Sequence, residues 1–131
     1  MTYLLDTNTC IFIMKKLPRV VEQFHSAQSL GIAISSITLA ELEFGVSNSK
    51  AYARNQGTLL AFSTLVEILP FDALASYEYG KVRSSLEKAG TPIGALDTLI
   101  AAHAKSLRLT LVTNNTREFQ RIEGLHLKDW L

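Results

Sequence analysis

Tyr3-Leu4-Leu5-Asp6-Thr7-Asn8 sets a short apolar run against an abrupt polar stop, almost at the N-terminus. A brief apolar run bounded in this way reads as a buried strand, here residues 2–5. In α/β proteins, ligands gather at the C-terminal ends of parallel strands. An acid at that position, Asp6, is suited to holding something positive. Two later acids, Glu41 and Asp97, are the other candidates for the same task.

Outward from this stretch, apolar strands alternate with helical patterns. Gly31-Ile32-Ala33-Ile34-Ser35 reads as a second strand, 67–69 as a short third, Leu109-Thr110-Leu111-Val112-Thr113 as the clearest one, and 125–130 as the last. Helices are predicted over 8–16 and from Pro18, which is well placed to open one. Val20, Val21, Phe24 and Ala27 repeat there at helical spacing. Further helices are predicted over 38–46, 50–65, from an Asp72 cap to Lys88, and over 94–105, with a helical turn at 117–121. This order predicts an α/β sandwich, a mainly parallel central sheet flanked by helices. The helix-rich stretch 36–90 departs from strict alternation.

The 131 residues predict a single domain over 1–131. Hydrophobic residues make up 47% and charged residues 19%, which argues against disorder. A net charge of +1 argues against a dominant electrostatic grip on nucleic acid, while leaving room for a local basic rim. The single cysteine, Cys10, makes no internal disulfide, and no Cys/His spacing suggests zinc. The N-terminal apolar run is too short for a signal peptide, and no stretch approaches a membrane span. The expected compartment is the cytoplasm.

Each acid has a plain alternative. Asp6 is a good helix N-cap. Thr38-x-x-Glu41 is a capping-box pattern. Asp97 shares a helical face with Ile100, Ala101 and Ala104, so it is predicted to face inward, with no Lys or Arg at i±3 or i±4. An unpaired inward charge is costly, and a metal ion meets the need. Thr113 and Asn115 follow the last strong strand and are placed to reach the same edge, although Asn is by default a turn former. Asn8 and Glu118 are outer candidates. Two carboxylates about 4 Å apart repel by roughly 4 kcal/mol at an effective dielectric near 20. A cap returns only about 1 kcal/mol. Convergence of the acids therefore calls for a cation, and all-oxygen ligands select Mg²⁺ or Mn²⁺. The three histidines offer no obvious base, and no Gly-rich phosphate loop is present.

Asp6-Thr7-Asn8, Ser36-x-Thr38-x-x-Glu41-Leu42, Ile93-Gly94-x-x-Asp97-x-x-Ile100-Ala101-Ala102 and Leu111-Val112-Thr113-Asn114-Asn115-x-x-x-Phe119 occur in that order. In this the chain resembles PIN-domain ribonucleases, and specifically the VapC toxins of bacterial toxin–antitoxin pairs. The resemblance spans nearly the whole chain. It implies a PIN-like three-layer sandwich with an acidic site dependent on Mg²⁺ or Mn²⁺. Asp6, Glu41 and Asp97 match the family's three acids, with Asp6 and Asp97 as metal ligands, and Thr113 matches its hydroxyl residue. The fourth acidic position of many relatives falls on Asn115, which puts a second full metal site in doubt. Glu118 is a candidate compensating acid. The resemblance further implies cleavage of transfer RNA at the anticodon loop, a homodimer, and a VapB-type antitoxin in a larger complex. The rivals are a Mg²⁺-dependent phosphatase or receiver-like protein and a non-catalytic RNA-binding module. The phosphatase would want Asp-x-Asp where this chain has Asp6-x-Asn8.

Overall fold

The computed structural model describes residues 1–131. Five strands, β1 (Tyr3–Leu5), β2 (Ile32–Ser35), β3 (Glu67–Leu69), β4 (Thr110–Val112) and β5 (Leu127–Lys128), form one sheet in the order β3-β2-β1-β4-β5. All four pairings are parallel, so the expected mainly parallel sheet is parallel throughout. Every strand therefore ends at the same edge. The order reverses at β1, which lies between β2 and β4, and such a switch point opens a crevice beyond the strand ends.

Seven helices cover the sheet: α1 (Thr7–Met14), α2 (Pro18–Ala27), α3 (Ser36–Ser47), α4 (Tyr52–Ser63), α5 (Ala73–Lys88), α6 (Ala95–Ser106) and α7 (Thr116–Phe119). Successive strand residues point to opposite faces, and this builds two cores. Leu5, Ile34 and Val112 meet Cys10, Phe24, Leu59 and Phe62 on the face covered by α1 to α4. Leu4, Ala33 and Leu111 meet Val82, Leu86, Ile100 and Ala104 on the face covered by α5 and α6. With both faces buried, the central strands β1, β2 and β4 read as mostly apolar runs instead of alternating ones.

Local chemistry explains the helix starts. Pro18 occupies the first turn of α2, where its missing N–H costs nothing. Asp72 caps α5, its Oδ1 accepting from the Ala75 amide at 3.0 Å. The helix expected from Thr38 begins at Ser36 instead, because Ser35 is the cap and its Oγ accepts from the Ile37 amide at 3.1 Å. The last strand is shorter than the expected 125–130. β5 is an edge strand, and the chain leaves the ladder so that Trp130 can pack edge-on against Tyr3, ring centres 5.6 Å apart. No helix is long and apolar enough to cross a membrane.

Candidate active site

Asp6 stands at the switch point. Its amide donates to the Val112 carbonyl at 3.0 Å, which extends the β1–β4 ladder by one rung and aims the side chain at the crevice. The carboxylate is 4% exposed and caps α1, Oδ1 accepting from the Thr9 amide at 2.8 Å. The capping reading therefore holds, but it engages one oxygen. Burial pushes the Asp6 carboxyl up against the opposing pull of hydrogen bonds from Thr113 and Thr9. Thr113, fully buried where β4 ends, is thus a direct neighbour of Asp6, and its Oγ1 also accepts from the Asn115 amide at 2.9 Å.

Glu41 comes from α3. The capping-box reading fails, since Ser35 is the cap and Thr38 already lies inside the helix. Glu41 reaches across to α1, where Thr7 Oγ1 donates to its Oε1 at 2.6 Å. Thr7 and Thr9 were invisible as site residues in the sequence. The only available signal was their adjacency to Asp6.

Asp97 lies in the first turn of α6. The expectation that it faces the core needs correction. Thr98 and the run Ile100–Ala104 occupy the buried face, and Asp97 sits half-buried at the sheet edge. It has no hydrogen-bond partner from the protein. Its carboxyl is raised to about 6, first by burial, then by the charges of Glu118, Asp6 and Glu41. The three acids read from the sequence therefore share one field, and Glu118 belongs with them.

Glu118 on α7 is more central than its outer placement in the sequence suggested. Its Oε1 accepts from the Gly94 amide, immediately before α6, at 3.2 Å. Its Oε2 accepts from Asn115 Nδ2. Asn115 is thus a brace for Glu118 as well as a turn residue. Asn115→Asp should replace that bond with carboxylate repulsion and lower metal-free stability by about 1–3 kcal/mol. Thermal melts in chelator check this, and an unchanged midpoint would dismiss the brace.

Other candidates fall away. Asn8 is exposed and makes no bond to the site, so the Asp-x-Asp chemistry of a phosphatase has no counterpart. The Cys10 thiol is fully buried and held far in its protonated form by burial and by Asp6, which makes it packing and not a nucleophile. His103 is buried, with Nδ1 2.8 Å from Ser35 Oγ and its ring edge-on to Phe71. Burial lowers its pKa and keeps it neutral. His25 and His126 are exposed.

No three of the His, Cys, Asp and Glu side chains close to metal-ligating spacing. A hard divalent ion does not require that, because it binds through one or two carboxylates and retains several waters. The donor chemistry fits such an ion. It is all oxygen, two of the acids are held above their ordinary range, and Asp97 has no protein cation beside it.

Glu41 also lines a largely apolar cleft of about 470 Å³ between α1, α3 and α4. Ile11, Met14, Leu42, Val46 and Leu59 line it together with Lys15 and Arg54. Phe44 and Tyr52, on the two helices flanking it, are 70% and 54% exposed.

The PIN domain family model matches residues 3–125. The chain is 42% identical over 128 residues to the tRNA(fMet)-specific endonuclease VapC of Salmonella typhimurium, covering 98% of this chain and 97% of the relative. It is 44% identical over 135 residues to ribonuclease VapC2 of Rickettsia felis, covering 99% and 98%. Among solved structures it resembles VapBC2 of Rickettsia felis bound to a promoter DNA fragment, with a TM-score of 0.95, 44% identity and complete coverage of both chains. It likewise resembles DNA-bound VapBC of Salmonella typhimurium, with a TM-score of 0.96, 43% identity and coverage of 100% and 99%.

Proposed function

This chain belongs to the PIN-domain family, and from that premise we propose that it is a divalent-metal-dependent endoribonuclease toxin of the VapC type. The reading treats residues 1–131 as one catalytic unit acting in the cytoplasm. Its substrate is transfer RNA, cut at the anticodon loop, in keeping with the tRNA(fMet)-specific name of the Salmonella relative. The observation that carries it is Asp97, raised to about 6 with no protein partner, among the charges of Glu118, Asp6 and Glu41 at the switch point of a parallel sheet.

In this reading Asp6 and Asp97 hold Mg²⁺ or Mn²⁺. Bound there, the ion supplies charge against the scissile phosphate and acidifies water. Thr113 fixes the rotamer of Asp6. Glu41, held by Thr7, orients the attacking water in line with the leaving oxygen. Asn115 and Gly94 hold Glu118 beside Asp97, where it takes the place of the fourth acid that Asn115 lacks. The products carry a 3′-hydroxyl and a 5′-phosphate. The partner is a VapB-type antitoxin whose apolar segment fills the α1–α3–α4 cleft and whose basic side chain pairs with Glu41 and its neighbours. The toxin acts as a homodimer within a larger toxin–antitoxin complex.

The pH dependence follows from Asp97. Its folded pKa lies above the ordinary 3.8, so the folded metal-free protein binds this proton more tightly than the unfolded chain does. The corresponding stability is complete below about pH 4 and is lost as pH rises through about 6. Metal requires the ionised form, so affinity should fall about tenfold per pH unit below pH 6. Titration calorimetry with Mn²⁺ at pH 5, 6 and 7 measures this, and a flat profile would remove Asp97 from the metal site. The function itself is tested with purified protein on end-labelled transfer RNA. Cleavage should require Mg²⁺ or Mn²⁺ and stop with chelator, whereas persistence in chelator would contradict the reading.

A further inference from the structure

Four cations gather on a face that the catalytic description does not use. Lys81 and Arg121 join Lys105 along one cleft of about 380 Å³. Lys105 continues into a second, of about 280 Å³, with Arg108 and His126. Glu123 is the single acid lining the two. The whole chain is almost neutral at +1, so this is a local asymmetry. The one ion pair of the molecule is Arg83–Glu87, which leaves all four of these cations without a carboxylate partner.

A bland account exists for two of them. Lys105 and Arg108 lie at the C-terminus of α6, where the helix dipole favours positive charge. It does not extend to Lys81, in the middle of α5, or to Arg121, beyond α7. Arg108 is further marked by its backbone. It holds φ +56 at the end of α6, with its own amide donating to the Lys105 carbonyl and the Leu109 amide to that of Ala104. Glycine is the favoured residue at that turn position.

One end of the patch approaches the acidic site, while Arg108, just before β4, lies toward the opposite edge of the sheet. Arg121 Nη1 donates to the Pro92 carbonyl at 3.1 Å, close to Gly94, whose amide Glu118 accepts. Along α6, Asp97 lies in the first turn and Lys105 in the last, about 12 Å apart at 1.5 Å per residue. A nucleic-acid strand cut at Asp97 would carry phosphates past these cations a few nucleotides from the scissile bond.

We propose that Lys81, Lys105, Arg108 and Arg121 form a phosphate-tracking surface that holds the body of a folded RNA while its loop is cut. The inference rests on the endoribonuclease reading and adds to it the part of the substrate that is gripped. Contacts of this kind position the substrate without reading its sequence. Short and folded RNAs should therefore respond differently to loss of the patch.

The test is the triple variant Lys81→Gln/Lys105→Gln/Arg108→Gly, in which the glycine suits the left-handed turn and favours folding. With folded transfer RNA, kcat/KM should fall about tenfold or more, chiefly through KM, and the log–log salt slope should become shallower by about 1 to 2. With an oligonucleotide of a few residues around the cleaved bond, the rate should stay within about twofold of wild type. Equal loss on both substrates, or loss on neither, overturns the proposal. If wild type cuts neither RNA with metal present, the endoribonuclease reading fails by itself. Filter retention of uncut folded RNA then decides the patch separately, with weaker retention by the triple variant supporting it and unchanged retention overturning it.

Discussion

Asp97→Asn should abolish RNA cleavage and at the same time make the metal-free protein more stable. The two effects share one cause. The carboxyl is raised to about 6 by burial and by Glu118, Asp6 and Glu41. At neutral pH its charge is therefore held at a cost. About 1.4 kcal/mol corresponds to each pKa unit, and partial solvent access reduces the gain to roughly 1–2 kcal/mol. The isosteric amide removes that cost. Loss of outer-shell support for a metal already costs about 10- to 100-fold in affinity or activity, so loss of a ligand should cost at least about 100-fold. A merely structural acid would give the opposite pattern, with stability lost and activity kept. Thermal melts in chelator and initial cleavage rates with Mg²⁺ read both quantities, and an active or destabilised variant would refute the assignment.

Filling the apolar cleft should weaken the antitoxin's hold far more than it slows cleavage. Gly45 lies on α3 and lines the cleft, and a Cβ built there meets nothing within 4 Å. The Cβ of Gly45→Trp therefore enters open space, and leaving glycine behind in a helix interior is worth a fraction of a kcal/mol in stability. The indole would occupy volume that the antitoxin's apolar segment needs. Affinity should fall at least about 100-fold, a loss typical of a central anchor pocket. In cells, co-expressed antitoxin would no longer rescue the growth arrest caused by this chain, while cleavage by the purified variant stays within about threefold of wild type. Full rescue would place the antitoxin elsewhere.

Much of the fold was legible because its signals are local. Short apolar runs such as Leu4-Leu5 and Ile32-Ala33-Ile34 mark strands buried on both faces, and Pro18 and Asp72 mark helix starts. The α3 start was misplaced because Ser35 and Thr38 are both competent caps, and sequence cannot say which hydroxyl finds a free amide. The resulting capping box made Glu41 look structural, whereas the true cap leaves it free to meet Thr7. That contact joins α1 to α3, and no local pattern carries it. The contacts of Glu118 were hidden for a similar reason. Its pairing with Asn115 is one helical turn in length, but its reach to Gly94 and Asp97 depends on how α6 and α7 meet at the sheet edge. Asp97 was legible as an acid without a basic neighbour. Only the packing of α6 showed that it sits at the crevice and not in the core.

The most direct test is to map RNA 5′ ends after brief expression of the chain without its antitoxin, beside the Asp6→Asn variant. Asp6 is the residue on which the site is built, and its isosteric amide keeps the oxygen that accepts from Thr9 while removing the charge. The account predicts a new 5′-phosphate end within a transfer RNA anticodon loop in the wild type and none in the variant. The same end with Asp6→Asn, or an intact transfer RNA pool in cells arrested by the wild type, would contradict it.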